Sequence, residues 1–239
     1  MTTPALELQD VRAGYGRIEI LRGVSLQVPA GSVVALLGPN GVGKTTTLRA
    51  VSGTLPVTGG AIRLDGRRID NRRPSAIASR GVVLVPEGRG VFPALSVRDN
   101  LRVAHHSAPA SVAGPWEGWL EEITTTFPRL GERLDQVAGS LSGGEQQMLA
   151  VCRALVGDPR VVLFDELSMG LAPMIVADLF ERVAALRDTG RTIVLVEQYL
   201  TYALDLADLC YVLAKGRVVW AGEPGELKRS ETASAFLAG

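Results

Sequence analysis

Gly38-Pro-Asn-Gly-Val-Gly-Lys-Thr45 follows the apolar run Val33–Leu37 and precedes a helical pattern, Thr46–Val51. The spacing G-x-x-x-x-G-K-T at a strand-to-helix junction is that of a phosphate-binding loop. Its glycines let successive backbone N–H groups turn inward around phosphate oxygens, at the positive end of a helix. Lys44 is placed to reach between β- and γ-phosphates, and Thr45 to offer a hydroxyl to Mg²⁺. A plain glycine-rich turn would need neither. Of the 25 basic residues 22 are Arg, and Lys44 is the only lysine in the first 214 positions. The stretch predicts a nucleoside triphosphate site built on Gly38, Pro39, Asn40, Gly41, Val42, Gly43, Lys44, Thr45 and Thr46.

Working outward, the runs Val33–Leu37, Val82–Val85, Val161–Phe164 and Ile193–Val196 are β-branched and apolar on both faces. That is the composition of parallel strands covered on two sides, and helical patterns separate them, so the fold class is α/β. Leu6–Val11 and Ile20–Val28 alternate instead and predict an antiparallel sheet at the edge. Tyr211–Trp220 reads as a hairpin turning at Lys215-Gly216. Between Phe92 and Val156 the strand signal stops. Leu120, Ile123 and Phe127 share one helix face there, and Ser107–Pro115 is a loop by composition. The expected layout is one domain over 1–239. An ATP-binding core with its antiparallel β-subdomain occupies 1–91 and 157–239, and a helical subdomain is inserted at 92–156.

Composition excludes several classes. Lys+Arg and Asp+Glu are 25 each in 239 residues, so bulk electrostatic binding of nucleic acid is not expected. Cys152 and Cys210 have no metal-ligand spacing, which suits a reducing compartment. No apolar run approaches the roughly 20 residues of a membrane span, and the first ten residues carry no export signal.

Val161-Val-Leu-Phe-Asp165-Glu166 ends an apolar strand in two acids. Asp165 at the C-terminal end of a parallel strand would stand beside the phosphate loop and hold Mg²⁺ through water. Glu166 would orient or deprotonate an attacking water. Upstream, Leu141-Ser-Gly-Gly-Glu145 opens a helix with the capping box Ser142-x-x-Glu145. Gly143 and Gly144 in its first turn leave the backbone open to a phosphate.

Phosphate loop, Leu141–Gln147 and acidic strand, in that order, resemble the ATP-binding-cassette (ABC) ATPases, whose signature reads LSGGQ. The resemblance implies a P-loop, RecA-like core with ATP and Mg²⁺ as ligands. It also implies a head-to-tail dimer in which Leu141, Ser142, Gly143, Gly144 and Glu145 of one cassette close over the partner's ATP. Tyr15, in Gly14-Tyr-Gly16, fits the aromatic that stacks on adenine. Val85-Pro-Glu-Gly-Arg89, Gly170-Leu-Ala-Pro173 and Val196-Glu-Gln-Tyr199 resemble the branch serving branched-chain amino-acid importers. In that alignment Glu87 replaces a Gln near Mg²⁺, Gln198 replaces the switch His, and Ala172 replaces an Asp. Leu167 stands where Pro is usual, and nothing in the sequence explains it. His105 and His106 read as solvated helix residues. Arg63, Arg67, Arg68, Arg72, Arg73 and Arg80 read as a solvated, partly paired face.

The resemblance implies a motor subunit on the cytoplasmic face of the plasma membrane. Its partners would be transmembrane permease subunits, an extracytoplasmic solute-binding protein and a second cassette, with a paralogous heterodimer expected over a homodimer. Branched-chain amino acids are the expected cargo, ahead of urea or amides. A DNA-acting ATPase of the same family would bring coiled coils or zinc modules, and a GTPase an N-K-x-D motif; the sequence has none of these.

Overall fold

A six-stranded sheet organises the chain in the computed structural model, which describes residues 3–88, 90–108, 114–197 and 199–229. Its strands are β3 (Val33–Leu37), β6 (Val82–Val85), β7 (Val161–Asp165), β8 (Thr192–Val196), β9 (Leu209–Ala214) and β10 (Arg217–Gly222), in the order β10-β9-β3-β8-β7-β6. All pairings are parallel except β9–β10, the hairpin expected at Lys215-Gly216.

Both faces of this sheet are covered, and alternate residues of each central strand enter different cores. Val33, Ala35, Leu37, Val162, Phe164, Ile193 and Leu195 face one; Val34, Leu36, Val161, Leu163, Val194 and Val196 face the other. The first core is closed by α3 (Val97–Ser107), α4 (Trp116–Thr126), α5 (Pro128–Gly131), α6 (Gly143–Leu155), α7 (Pro173–Asp188) and α8 (Leu200–Leu206). The second is closed by α1 (Lys44–Val51), α2 (Pro74–Ala78) and a second sheet. A short α9 (Pro224–Arg229) follows β10.

That second sheet is antiparallel, in the order β2-β1-β4-β5, from β1 (Leu6–Tyr15), β2 (Ile18–Val28), β4 (Val57–Leu64) and β5 (Arg67–Arg68). It is a separate layer, joined to the large sheet where Arg22 N–H donates to Gly216 O at 2.8 Å. Between β6 and β7 the described elements are helical, from α3 to α6 with a 3₁₀ turn at Ala138–Ser140. Asn100 on α3, fully buried, bonds Phe92 N–H and the carbonyls of Phe92 and Ser96, and so pins the approach to the helix. No helix among the described residues is long and apolar enough to cross a membrane.

The two histidines of α3 differ from the expected solvated pair. His106 is exposed, but the His105 ring packs against Trp116 and Trp119 on α4, with both centroids at 5.5 Å. Helix α4 crosses α3 on that side, and a 3.6-residue turn places only one of two adjacent residues inward. The arginines of β4–β6 are largely exposed, and Arg68 pairs with Asp70 at 2.8 Å.

Candidate active site

The loop between β3 and α1 stands at the C-terminal edge of the large sheet, where parallel sheets open a crevice. A cleft of about 460 Å³ lies there, walled by Asn40, Gly41, Gly43, Lys44, Thr45 and Thr46 on one side. Tyr15, Ile20, Glu87, Glu166 and Met169 complete it. Gly38 has φ 143, and a Cβ there would stand 2.3 Å from Leu213 O on β9, so only glycine leaves the strand at this point. Pro39 and Val42 shape the loop without lining the cleft. Gly43 is the N-cap of α1 and gives no side-chain hydrogen bond, and the first turn holds no acid. The helix therefore presents bare N–H groups to an anion.

Lys44 is 4% exposed, and its Nζ donates to Gly38 O at 2.8 Å and Pro39 O at 3.0 Å. Burial lowers its pKa, while the charges of Glu166 and Asp165 act the other way. Asp165 ends β7 and is 2% exposed, with Oδ1 accepting from Thr45 Oγ1 at 2.9 Å. Burial holds this carboxyl above the ordinary carboxylate range; the Thr45 bond opposes that, and the charges of Glu166 and Glu87 add to it. Asp165 and Glu166 thus set two carboxylates against the Lys44 ammonium, and Glu87 adds negative charge beside Asp165 that Arg49 opposes, a balance that suits a bound cation.

The unfolded chain releases the Asp165 proton near the ordinary 3.8 and the folded chain later. Stability is therefore lost as pH rises from the ordinary value through the raised one, and stays lowered above it. Asp165→Asn, whose amide oxygen can still accept from Thr45, is expected to raise the melting temperature of the nucleotide-free protein at pH 7. The gain should shrink towards pH 4. Scanning calorimetry at both pH values checks this, and a lower Tm at pH 7 refutes it.

Glu166 leaves β7 with φ 50, and its N–H donates to Val196 O at 2.9 Å. Leu167 is fully buried in the helix-side core, and nothing in the structure explains why Leu stands there rather than Pro. Tyr15 is half exposed, and its hydroxyl accepts from Arg49 at 3.1 Å. Gln198 lies outside the described residues. A residue with no motif of its own emerges beside these: Glu197, 2% exposed at the end of β8, accepts from Ser168 N–H at 3.0 Å and from the Ser168 hydroxyl. Only its place next to the Gln198 position could have drawn attention to it.

Leu141–Glu145 is not part of this cleft. Ser142 caps α6 with the full capping box, and Glu145 Oε1 accepts from Arg133 Nε at 2.7 Å. Burial pushes the Glu145 carboxyl up, but the Ser142 and Arg133 hydrogen bonds and the Arg133 charge outweigh it and hold it below the ordinary range. The glycine at 144 has a local cause: a Cβ there would meet Ile175 Cγ2 at 2.2 Å. Gly144 is buried against Ile175 of α7, so packing alone already requires a glycine at this position. Gly144→Ala should destabilise the fold by about 1–3 kcal/mol through overpacking. Ile175→Ala, which removes the opposing methyl, should recover much of that loss in urea titrations; no recovery would locate the clash elsewhere.

Residues 21–168 match the model of the ABC transporter family. The chain belongs to that family. It is an ABC ATPase, and its fold is that of ATP-binding cassettes. Relatives run along nearly all of it. The high-affinity branched-chain amino acid transport ATP-binding protein BraG of Pseudomonas aeruginosa is 42% identical over 90% of this chain and 91% of its own. A probable branched-chain amino acid transport ATP-binding protein, LivF of Archaeoglobus fulgidus, is 35% identical over 95% of both. The lipopolysaccharide export system ATP-binding protein LptB of Escherichia coli is 31% identical over 95% of this chain and 93% of its own. An ABC transporter cassette solved in its ADP conformation superposes with TM-score 0.87 at 25% identity, covering 98% of both chains. As an ABC ATPase, the chain binds nucleotide.

Proposed function

We propose that this ABC ATPase drives an importer of branched-chain amino acids through separate membrane permeases. Likeness to BraG along nine-tenths of both chains supports the cargo, and LivF points the same way. The cassette works on the cytoplasmic face of the membrane, with a solute-binding protein on the other side. Export is the competing direction, since LptB also matches. Reconstitution with permeases and the solute-binding protein in proteoliposomes decides between them. ATP-dependent leucine uptake is the expected result, and ATP-driven efflux or uptake of urea alone would overturn it.

Mg²⁺ fits the residues present, because the buried Asp165 carboxylate and the Thr45 hydroxyl meet beneath the phosphate loop amid excess negative charge. Bound there, the metal would supply positive charge that offsets the charge of the phosphates. Asp165 and Thr45 would hold it, with Glu87 at the rim of the cleft. Lys44, whose ammonium is fixed by two loop carbonyls, sets a positive charge against the phosphates. Tyr15 offers its ring to adenine. Glu166 takes the proton of the attacking water, and Gln198 donates an amide hydrogen bond to the γ-phosphate.

The signature residues Leu141–Glu145 stand apart from this chain's own cleft, which suits action on a second cassette's ATP. Gln198 supplies no cationic imidazole and Glu87 adds a negative charge, so this site stabilises transition-state charge less than one with His and Gln. We therefore propose a paralogous heterodimer with unequal sites. Gln198→His in the reconstituted transporter is expected to raise turnover. A purified chain that alone forms a fully active homodimer would refute the asymmetry.

A further inference from the structure

We infer that Glu197 is a positioning residue for Glu166, acting through Ser168; this rests on Glu166 being the base. The end of β8 grips the segment after β7 at two adjacent points. Val196 O accepts from Glu166 N–H at 2.9 Å. One residue on, the Glu197 carboxylate takes both the N–H of Ser168, at 3.0 Å, and its hydroxyl. Ser168 and Glu197 are 1% and 2% exposed, and Leu167 between the two grips is fully buried.

This clamp sits where the backbone needs one. Glu166 is held at φ 50, a left-handed conformation that residues other than glycine rarely adopt. Such a conformation persists only where its surroundings over-determine it. A carboxylate is costly to bury without partners, and Glu197 accepts both an N–H and an O–H from Ser168. Nothing in the fold of β8 requires an acid at its end, since the strand itself is wholly apolar beyond Thr192. Glu197 is not among the described residues lining the nucleotide cleft, and its two bonds to Ser168 link it through the backbone to Glu166. It also ties the segment after β7 to the chain leading directly into residue 198.

The test is steady-state ATPase kinetics with calorimetric ATP binding, on the full chain in the reconstituted transporter and as purified protein. Glu197→Ala is expected to lower kcat about 10–100-fold, the scale of an ångström-sized misplacement of a reacting group, with KM and ATP affinity unchanged. Glu197→Gln should retain most of kcat, because its oxygen accepts from Ser168 N–H and its amide donates to the Ser168 hydroxyl oxygen. Ser168→Ala should lower kcat in the same direction. The Glu197→Ala/Ser168→Ala pair should then be no worse than Glu197→Ala alone. Should Glu197→Ala fail to fold, Ser168→Ala and Glu197→Gln carry the decision. Wild-type kcat in Ser168→Ala or Glu197→Ala overturns the inference. So does a Glu197→Gln loss as large as that of Glu197→Ala, or a KM that rises in step with the lost kcat. Glu166→Gln run alongside separates the two claims. Turnover retained there removes the base; turnover lost there but untouched by the Glu197 and Ser168 variants removes only the positioning role.

Discussion

Glu166→Gln is expected to lower ATP turnover by about 10²–10⁴-fold, the usual cost of removing a general base, while ATP still binds. The amide keeps the shape of the side chain at the cleft wall but cannot take a proton from water. It also removes one of the charges that keep Asp165 above the ordinary carboxylate range. Asp165 then ionises more readily, and hold on a metal–nucleotide complex should not fall. A cassette that binds without discharging should accumulate as a dimer with ATP and Mg²⁺, visible by size-exclusion chromatography. Near-wild-type turnover in a folded Glu166→Gln protein would show that the proton goes elsewhere.

Lys44→Ala is expected to weaken ATP binding about a hundredfold or more, in line with truncating one partner of a buried charge pair. Fold stability should change little. The ammonium is already desolvated, which lowers its pKa, and losing its bonds to Gly38 O and Pro39 O offsets the relief of exposing less buried charge. Lys44→Arg should not restore affinity, because a planar guanidinium cannot occupy a space shaped for a compact ammonium. Isothermal calorimetry on the folded variants measures this, and an unaltered dissociation constant for Lys44→Ala would sink it.

The parallel strands were legible because they are buried on both faces and so read as unbroken apolar runs: β3, β7 and β8 are buried at every position. Strand β4 was not. Gly59-Gly60 interrupts its pattern opposite the irregular stretch of β1 between Gln9 and Arg12, so its partner, not its own residues, makes it a strand. The short α2 and two-residue β5 carry no period long enough to read.

In the site, sequence alone determined the phosphate loop, the Asp165-Glu166 pair and the capped start of α6, since each is local: a spacing of glycines, a strand end, a capping box. Tertiary structure alone decided what crosses between segments. It brought Thr45 to Asp165 across 120 residues and turned His105 inward against α4. It set Gly144 against Ile175, buried Leu167, and closed Glu197 on Ser168. None of these follows a period or a spacing. Each exists because two strands or helices distant in sequence are packed at van der Waals contact, where one methyl or one hydrogen bond decides which residue fits.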